Sequence, residues 1–239
     1  MLKSRRLPKK LRKCKTRKQK RHAKWFSGNE WLSDEEIYKA LKTHEKCNER
    51  FRVFFPQTID FDKENLLGKC EFAGLCNFSF KKLTTKYDNV GAVLNTDTYE
   101  GEGIHWISLF MNLKKNKLYF FDSTGNAPPP ELEKYLFKLK KQASKMNIDL
   151  KIYVNTMKHQ FGHSECGMYS INFIEQMLKD NKYFTYLQKN RISDCEMSKM
   201  RKNYFKAWAW DLNETYIIQR PSEYGYKKYV VVRKKQKDT

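Results

Sequence analysis

The chain has 239 residues, with 48 Lys or Arg against 27 Asp or Glu, and a formal charge of +21. This length favours one domain with appendages, and a hydrophobic fraction of 40% is enough for a packed core, which excludes a wholly disordered chain. No run approaches the roughly 18 apolar residues of a membrane span, and no apolar stretch near Met1 could serve as a secretory signal. We therefore expect no membrane partner.

The positive charge is concentrated at the two ends. Residues 1–24 carry 13 basic and no acidic side chains, and residues 227–239 carry a net +5, which leaves +3 for residues 25–226. A segment this basic cannot bury its charges. The sequence therefore predicts a disordered arm over residues 1–24, a globular domain over residues 25–226 and a basic tail over residues 227–239. The arm is predicted to bind nucleic acid, although a solubilising or nuclear-targeting tail is an alternative. Its candidate contacts are Arg5, Arg6, Lys9, Lys10, Arg12 and Lys13.

Six cysteines occur at irregular spacings without a Cys-x-x-Cys pair. This pattern favours a reduced intracellular compartment over a disulfide scaffold. Cys70 and Cys76 are spaced more widely than a usual zinc knuckle, and Cys14, Cys47 and Cys195 receive no role.

The first elements follow from a helix cap and from alternating apolar residues. Ser33 or Asp34 can cap a helix that runs through Lys42, with acidic residues in its first turn. The segment from Phe51 to Tyr99 is assigned only loosely, with Gly68, Gly74 and Gly91 as breaks. The next two strands are predicted over Ile104–Asn112 and Lys117–Asp122, joined by the tight polar turn 113–116.

The second half predicts more helix than strand. An amphipathic helix over Glu131–Met146 follows a loop at 123–130, and a strand covers Asp149–Asn155. An apolar helix then covers Cys166–Lys179, and a last helix covers Ser193–Trp210. The inward residues of the apolar helix are expected to be Met168, Ile171, Ile174 and Leu178. The predicted class is α+β.

Three residues could form a catalytic centre. His105 lies in the first strand of the hairpin, Asp122 ends the second, and Cys166 opens the apolar helix. Antiparallel pairing could bring His105 and Asp122 together, and a helix N-terminus favours both a thiolate and a bound oxyanion. Nucleophile, base and carboxylate would then be present. Each residue alone has a simpler interpretation: a core histidine, a small buried thiol and an aspartate that caps a turn.

A metal site is a competing interpretation. His159, His163 and Cys166 share one short segment, but Gln160–Gly162 interrupts any helix there, and no further pair of ligands is nearby. We predict no metal and no cofactor.

Five motifs in order resemble those of the SUMO-type (ubiquitin-like protein) cysteine proteases. Trp31-Leu32-Ser33-Asp34 resembles their Trp-Leu-Asn-Asp motif, and His105-Trp106 resembles their catalytic His-Trp pair. The other three motifs are Phe120-Phe121-Asp122-Ser123, then Gln160 six residues before the cysteine, then Glu165-Cys166-Gly167.

The resemblance implies a fold and a set of roles. The fold would be the reversed papain-like fold of the adenain and SUMO-protease type, a central mixed sheet flanked by helices with Cys166 at a helix N-terminus. Cys166 would be the nucleophile, His105 the base, Asp122 its orienting carboxylate and Gln160 an oxyanion donor. Two tryptophans, Trp31 and Trp106, would close a tunnel that selects Gly-Gly or Gly-X-Gly before the cleaved bond. The alternative is that both are ordinary core tryptophans.

Several departures favour the viral branch, which includes the adenovirus maturation protease and the polyprotein proteases of African swine fever virus. Ser33 stands in place of Asn, Glu165 in place of Asp, and the chain is short and very basic. This branch implies a monomeric protease that processes viral structural polyproteins in the virion and host cytoplasm.

Two other functions remain open. One is a cellular-type deSUMOylating or deubiquitinating enzyme, which would act in the nucleus. The other is a non-enzymatic nucleic-acid-binding protein in which the arm is joined by exposed aromatic residues that stack on bases. The candidate stacking residues are Tyr224, Tyr226 and Tyr229.

Overall fold

The structure, a computed structural model, describes residues 19–21, 30–70, 74–207, 215–222 and 225–232. The predicted nucleic-acid contacts from Arg5 to Lys13, Cys14 and Tyr224 lie outside these residues, as do the side chains of Tyr226 and Tyr229. No helix in the described residues is long and apolar enough to cross a membrane.

A central sheet of six strands organises the domain. Its order is β2-β4-β5-β6-β7, and β3 also pairs with β4. The β4–β5 and β5–β6 pairs are antiparallel, whereas β2 and β3 run parallel to β4, and β7 runs parallel to β6. The strands are β2 (Phe51–Val53), β3 (Gln57–Thr58), β4 (Asn89–Asn95), β5 (Trp106–Asn112), β6 (Lys117–Phe121) and β7 (Lys151–Val154).

Helices cover both faces of this sheet. In β6, Leu118 and Phe120 face one cluster of buried side chains, and Tyr119 and Phe121 face the other. One face packs against α3, and the opposite face packs against α1 and α4 to α6. The helices are α1 (Asp34–Cys47), α2 (Phe80–Lys86), α3 (Pro130–Ser144), α4 (Cys166–Lys179), α5 (Tyr183–Leu187) and α6 (Asp194–Tyr204). The predicted mixed sheet flanked by helices is confirmed.

Strand β4 is the main element that the sequence assignment missed. Gly91 was expected to break the chain, but it lies within β4. A Cβ there would stand 3.0 Å from Ile174 Cγ2 and 3.2 Å from the Phe51 ring, so glycine allows close packing in the core.

The last predicted helix is shorter than expected. It ends at Tyr204, and β8 (Phe205–Ala207) follows and pairs in parallel with β1 (Gln19–Arg21). Strand β1 falls within residues 1–24, the segment that the sequence predicts as a disordered arm.

The predicted start of the basic tail, residue 227, falls inside a hairpin. Strand β9 (Thr215–Ser222) pairs antiparallel with β10 (Gly225–Val232). The β-branched and aromatic residues of these segments favour strand pairing despite the nearby charges.

The cysteine expectation is wrong at two places. Cys70 and Cys76, which are six positions apart in the sequence, form a disulfide, and Cys47 is also disulfide-bonded. A spacing without Cys-x-x-Cys therefore did not exclude disulfides, because pairing depends on the distance between the Cα atoms, 5.9 Å for Cys70 and Cys76.

Candidate active site

The hairpin of β5 and β6 places His105 and Asp122 at one end of the sheet. His105 directly precedes β5, and Asp122 directly follows β6. Ser108 pairs with Phe121, so the same register sets Asp122 opposite Ile107, with His105 on the diagonal. Residues on such a diagonal share a face and can make contact.

These two residues are joined by a short bond. His105 Nε2 lies 2.6 Å from Asp122 Oδ1, and the Asp122 side chain is buried. Thr124 donates to Asp122 from its backbone N–H and from its hydroxyl, at 2.8 Å each. Burial alone would raise the pKa of Asp122, but His105 and Thr124 more than offset it, so the pKa lies below its ordinary value. The carboxylate is thus held in its charged form.

Cys166 is the first residue of α4 and is 1% exposed. Gly167 allows this close fit, because a Cβ there would stand 3.0 Å from Leu32 Cβ. Burial would lower the pKa of His105, but the bonded Asp122 carboxylate and the neighbouring Cys166 thiol raise that pKa to about 9. The imidazole is therefore favoured in its charged form at neutral pH, as a thiolate–imidazolium pair requires.

Gln160 is fixed beside the aspartate. The Ser123 hydroxyl donates to Gln160 Oε1 at 2.6 Å, and Gln160 Nε2 donates to the Gly162 carbonyl at 2.9 Å. The backbone N–H groups of His159 and Gln160 both donate to the Ser123 carbonyl at 2.8 Å. Because Ser123 follows Asp122, the orientation of the Gln160 amide is coupled to the end of β6.

The two tryptophans occupy different environments. Trp106 is 7% exposed, and its Nε1 donates to the Leu32 carbonyl at 3.0 Å, whereas Trp31 is 41% exposed. Both line a groove of about 760 Å³. Other residues that line this groove include Asp34, Phe55, Tyr99 and Glu102. Trp106 is therefore a core residue as well as part of the groove wall.

A buried ion pair stands next to Cys166. Arg201, on α6, is fully buried, and its Nε donates to both carboxylate oxygens of Glu165 at 3.0 and 3.1 Å. Its Nη2 donates to the carbonyl oxygens of Glu30 and Ser164. Arg201 thus ties the residues before Cys166 to the residue before Trp31. The sequence does not reveal this role of Arg201, because an arginine in a polar helix carries no local pattern that marks it as buried.

The structure gives His159 a different environment from that of a metal ligand. Its Nδ1 accepts from the Ile192 N–H at 3.1 Å, and burial lowers its pKa to about 4. Among the described residues, no three His, Cys, Asp or Glu side chains form a group that could hold a metal ion.

Comparison with known proteins identifies the class. Residues 62–210 match the sequence profile of the Ulp1 protease family, C-terminal catalytic domain. This match covers more than half of the chain and agrees with the mixed sheet, the α4 cysteine and the His105–Asp122 pair. The chain therefore belongs to the Ulp1 family of cysteine proteases, which confirms the predicted family and enzyme class.

Viral proteins are among its similar relatives. A SUMO-1 cysteine protease of African swine fever virus (isolate Pig/Kenya/KEN-50/1950) is 35% identical over 119 residues, covering 48% of this chain and 43% of the relative. A candidate thiol protease of Acanthamoeba polyphaga mimivirus is 29% identical over 179 residues, covering 74% of this chain and 57% of the relative. The chain thus spans about half the length of these relatives.

A solved structure shares the fold. A crystal structure of an African swine fever virus protease superposes with a TM-score of 0.63 at 22% identity, covering 77% of this chain and 70% of that chain. This likeness supports the fold assignment alone.

Proposed function

We propose that the chain is a cysteine endopeptidase that cleaves peptide bonds after Gly-Gly or Gly-X-Gly in viral structural polyproteins during virion maturation. The observation that carries this proposal is the 2.6 Å bond between His105 and Asp122, with Cys166, the nearby thiol, at the start of α4. The viral relatives support the setting, in the virion and host cytoplasm.

The proposed mechanism follows from these contacts. Cys166 Sγ attacks the carbonyl carbon of the cleaved bond, and His105 holds the thiol proton and delivers it to the leaving amine. Asp122 orients the imidazole and stabilises its charged form. The Gln160 side-chain amide and the Cys166 backbone N–H donate hydrogen bonds that stabilise the oxyanion. Loss of one such donor typically lowers the rate by about 10²–10³. Water then hydrolyses the acyl-enzyme, with His105 as its base.

Glycine selection is assigned to the two tryptophans. Trp31 presents an exposed ring to the groove, and Trp106 forms its buried wall. Flat rings pack closely on a peptide backbone only where side chains are absent, which favours glycine in the substrate.

The test is cleavage of a fluorogenic acyl-Gly-Gly substrate by the wild type and by Cys166→Ser. Cys195→Ser is the matched control, because Cys195 is a free but exposed cysteine on α6. We expect turnover in the wild type and the control and none in Cys166→Ser. Full activity in Cys166→Ser would overturn the mechanism. Turnover of a SUMO or ubiquitin precursor far above that of peptides would favour the deconjugating enzyme instead.

We also propose that the basic arm binds nucleic acid. The +13 charge of residues 1–24 supports this, because neutralised phosphates release counterions. Replacing the six candidate contacts from Arg5 to Lys13 by Gln keeps every cysteine and β1 in the chain and should weaken both DNA affinity and its salt dependence. Unchanged affinity and salt dependence in this variant would contradict the role.

A further inference from the structure

The loop after Gln160 carries an exposed aromatic ring with two cations over it. Phe161 is 61% exposed. Lys158 Nζ lies 4.7 Å from the centroid of its ring, and Arg191 Cζ lies 4.4 Å from the same point. Cations at this distance are attracted by the ring quadrupole. We name Lys158, Phe161 and Arg191 the cationic shelf.

The shelf is held firmly next to Gln160. The backbone N–H groups of Phe161 and Gly162 both donate to Asp194 Oδ2 at 3.0 Å. Arg191 Nε donates to the His159 carbonyl at 2.9 Å. The shelf therefore belongs to the same fixed loop as the proposed oxyanion donor and needs little ordering to bind a ligand.

The charge of the shelf is not balanced. Asp194 Oδ2 lies 4.0 Å from Arg191 Nη2, the outer limit of an ion pair, and the same oxygen already accepts two backbone N–H groups. Among the described side chains, Lys158 has no carboxylate within ion-pair distance. The shelf thus presents surplus positive charge.

The groove that holds Trp31 and Trp106 has a different character. Asp34 and Glu102 are among its lining residues, and it shares no residue with the shelf. Two surfaces of unlike charge therefore adjoin the candidate active site. A substrate that places glycines in the groove continues past Cys166 beyond the groove, and the shelf lies outside the groove in the loop that carries Gln160.

We propose that the cationic shelf binds an acidic side chain of the substrate on the leaving-group side of the cleaved bond. The proposal rests on the proposed protease function and specifies its substrate class. A carboxylate can pair with both cations while its methylene groups contact the Phe161 ring. A nucleic acid is the other polyanion to consider, but a single aromatic ring with two cations matches one side chain better than a strand of several nucleotides.

The test uses internally quenched peptides with Gly-Gly before the cleaved bond and Glu, Gln or Lys at each of the next three positions. For the wild type at low salt, we expect kcat/KM to be about three- to tenfold higher with Glu than with Lys at one position. The preference should shrink at high salt. Equal rates for all three peptides at every position would overturn the proposal.

Charge variants locate the preference. Lys158→Glu should reverse it in favour of Lys and leaves the Arg191–His159 bond in place. Lys158→Gln with Arg191→Gln should abolish it. The matched control removes two exposed lysines of α3, Lys134→Gln with Lys140→Gln, and should keep the wild-type preference. An unchanged preference in Lys158→Glu would refute the shelf as its source.

Binding separates this proposal from the proposed function. Fluorescence anisotropy on Cys166→Ala needs no turnover: the same peptide sequences carry one fluorophore and no quencher, and Glu peptides should bind more tightly than Lys peptides. If the wild type cleaves none of the peptides but Cys166→Ala still binds Glu peptides more tightly, the protease function is contradicted and the binding role of the shelf is not. A 12-nucleotide single-stranded DNA that loses affinity in Lys158→Glu, while peptide preference does not change, would assign the shelf to nucleic acid and overturn the proposal.

Discussion

Two buried carboxylates accompany Cys166, and each is bonded to a cationic side chain. Asp122 is bonded to His105, with side-chain exposures of 4% and 17%, and Glu165 is bonded to Arg201, with exposures of 6% and 0%. An imidazole can lose its proton near neutral pH, whereas a guanidinium stays charged. In the proposed mechanism, the first pair therefore transfers a proton, and the second fixes the backbone around the nucleophile. The two buried pairs thus differ in role because their cations differ: imidazole exchanges a proton, and guanidinium keeps its charge.

The largest expected effect comes from the pair that transfers the proton. Asp122→Asn keeps the shape of the side chain but removes the charge that orients and stabilises His105. We expect kcat/KM for a Gly-Gly peptide to fall by about 10²–10⁴. The measurement is steady-state cleavage, with the exposed Asp149→Asn as control. A loss below threefold would show that Asp122 does not support His105.

The second effect concerns stability. Arg201→Met leaves Glu165 buried without its cation, which typically costs about 3–5 kcal/mol in the free energy of unfolding. Adding Glu165→Gln should restore part of the loss, because no charge is then buried. Urea unfolding measures both variants, with the exposed Lys202→Met beside them. If the single and double variants are equally unstable, the pair is not coupled as the structure indicates.

The third effect separates the two pairs by pH. The folded pKa of His105 is about 9, above its unfolded value of about 6.5. Its contribution to stability is therefore complete below pH ~6.5 and lost as pH rises through about 9, at most about 3 kcal/mol in all. Comparing unfolding of the wild type and His105→Gln at pH 6 and pH 10 isolates this contribution. A guanidinium keeps its charge across this pH range, so a wild-type profile parallel to that of His105→Gln would contradict the raised pKa of His105.

The smallest effect concerns the groove. Trp31→Ala removes an exposed ring and should raise KM for Gly-Gly peptides about three- to tenfold with little loss of stability. Trp106→Ala should also destabilise the fold, because that ring is buried and bonded to Leu32. Phe137→Ala, an exposed aromatic residue of α3, is the control. An unchanged KM in Trp31→Ala would remove this residue from substrate binding.

The parts predicted from sequence are those with local patterns. The β5–β6 hairpin and α4 follow from alternating and continuous apolar residues, and they position His105, Asp122 and Cys166. The features that were missed depend on contacts distant in the chain. Gly91 looked like a break because its packing partners, Phe51 and Ile174, are remote in sequence. Arg201 bonds Glu165, 36 residues away, and Phe161 meets Arg191 only when the segment before α6 folds against its loop.

The most direct measurement of the central claim is covalent capture of the nucleophile. A peptidyl Gly-Gly vinyl sulfone, which adds to an activated thiolate, is incubated with the protein, and the labelled residue is located by mass spectrometry. We predict one equivalent on Cys166, none on the exposed Cys195, and much slower labelling in His105→Gln and Asp122→Asn. Equal labelling of Cys195, or an unlabelled Cys166 in the folded wild type, would contradict the assignment of Cys166 as an activated nucleophile.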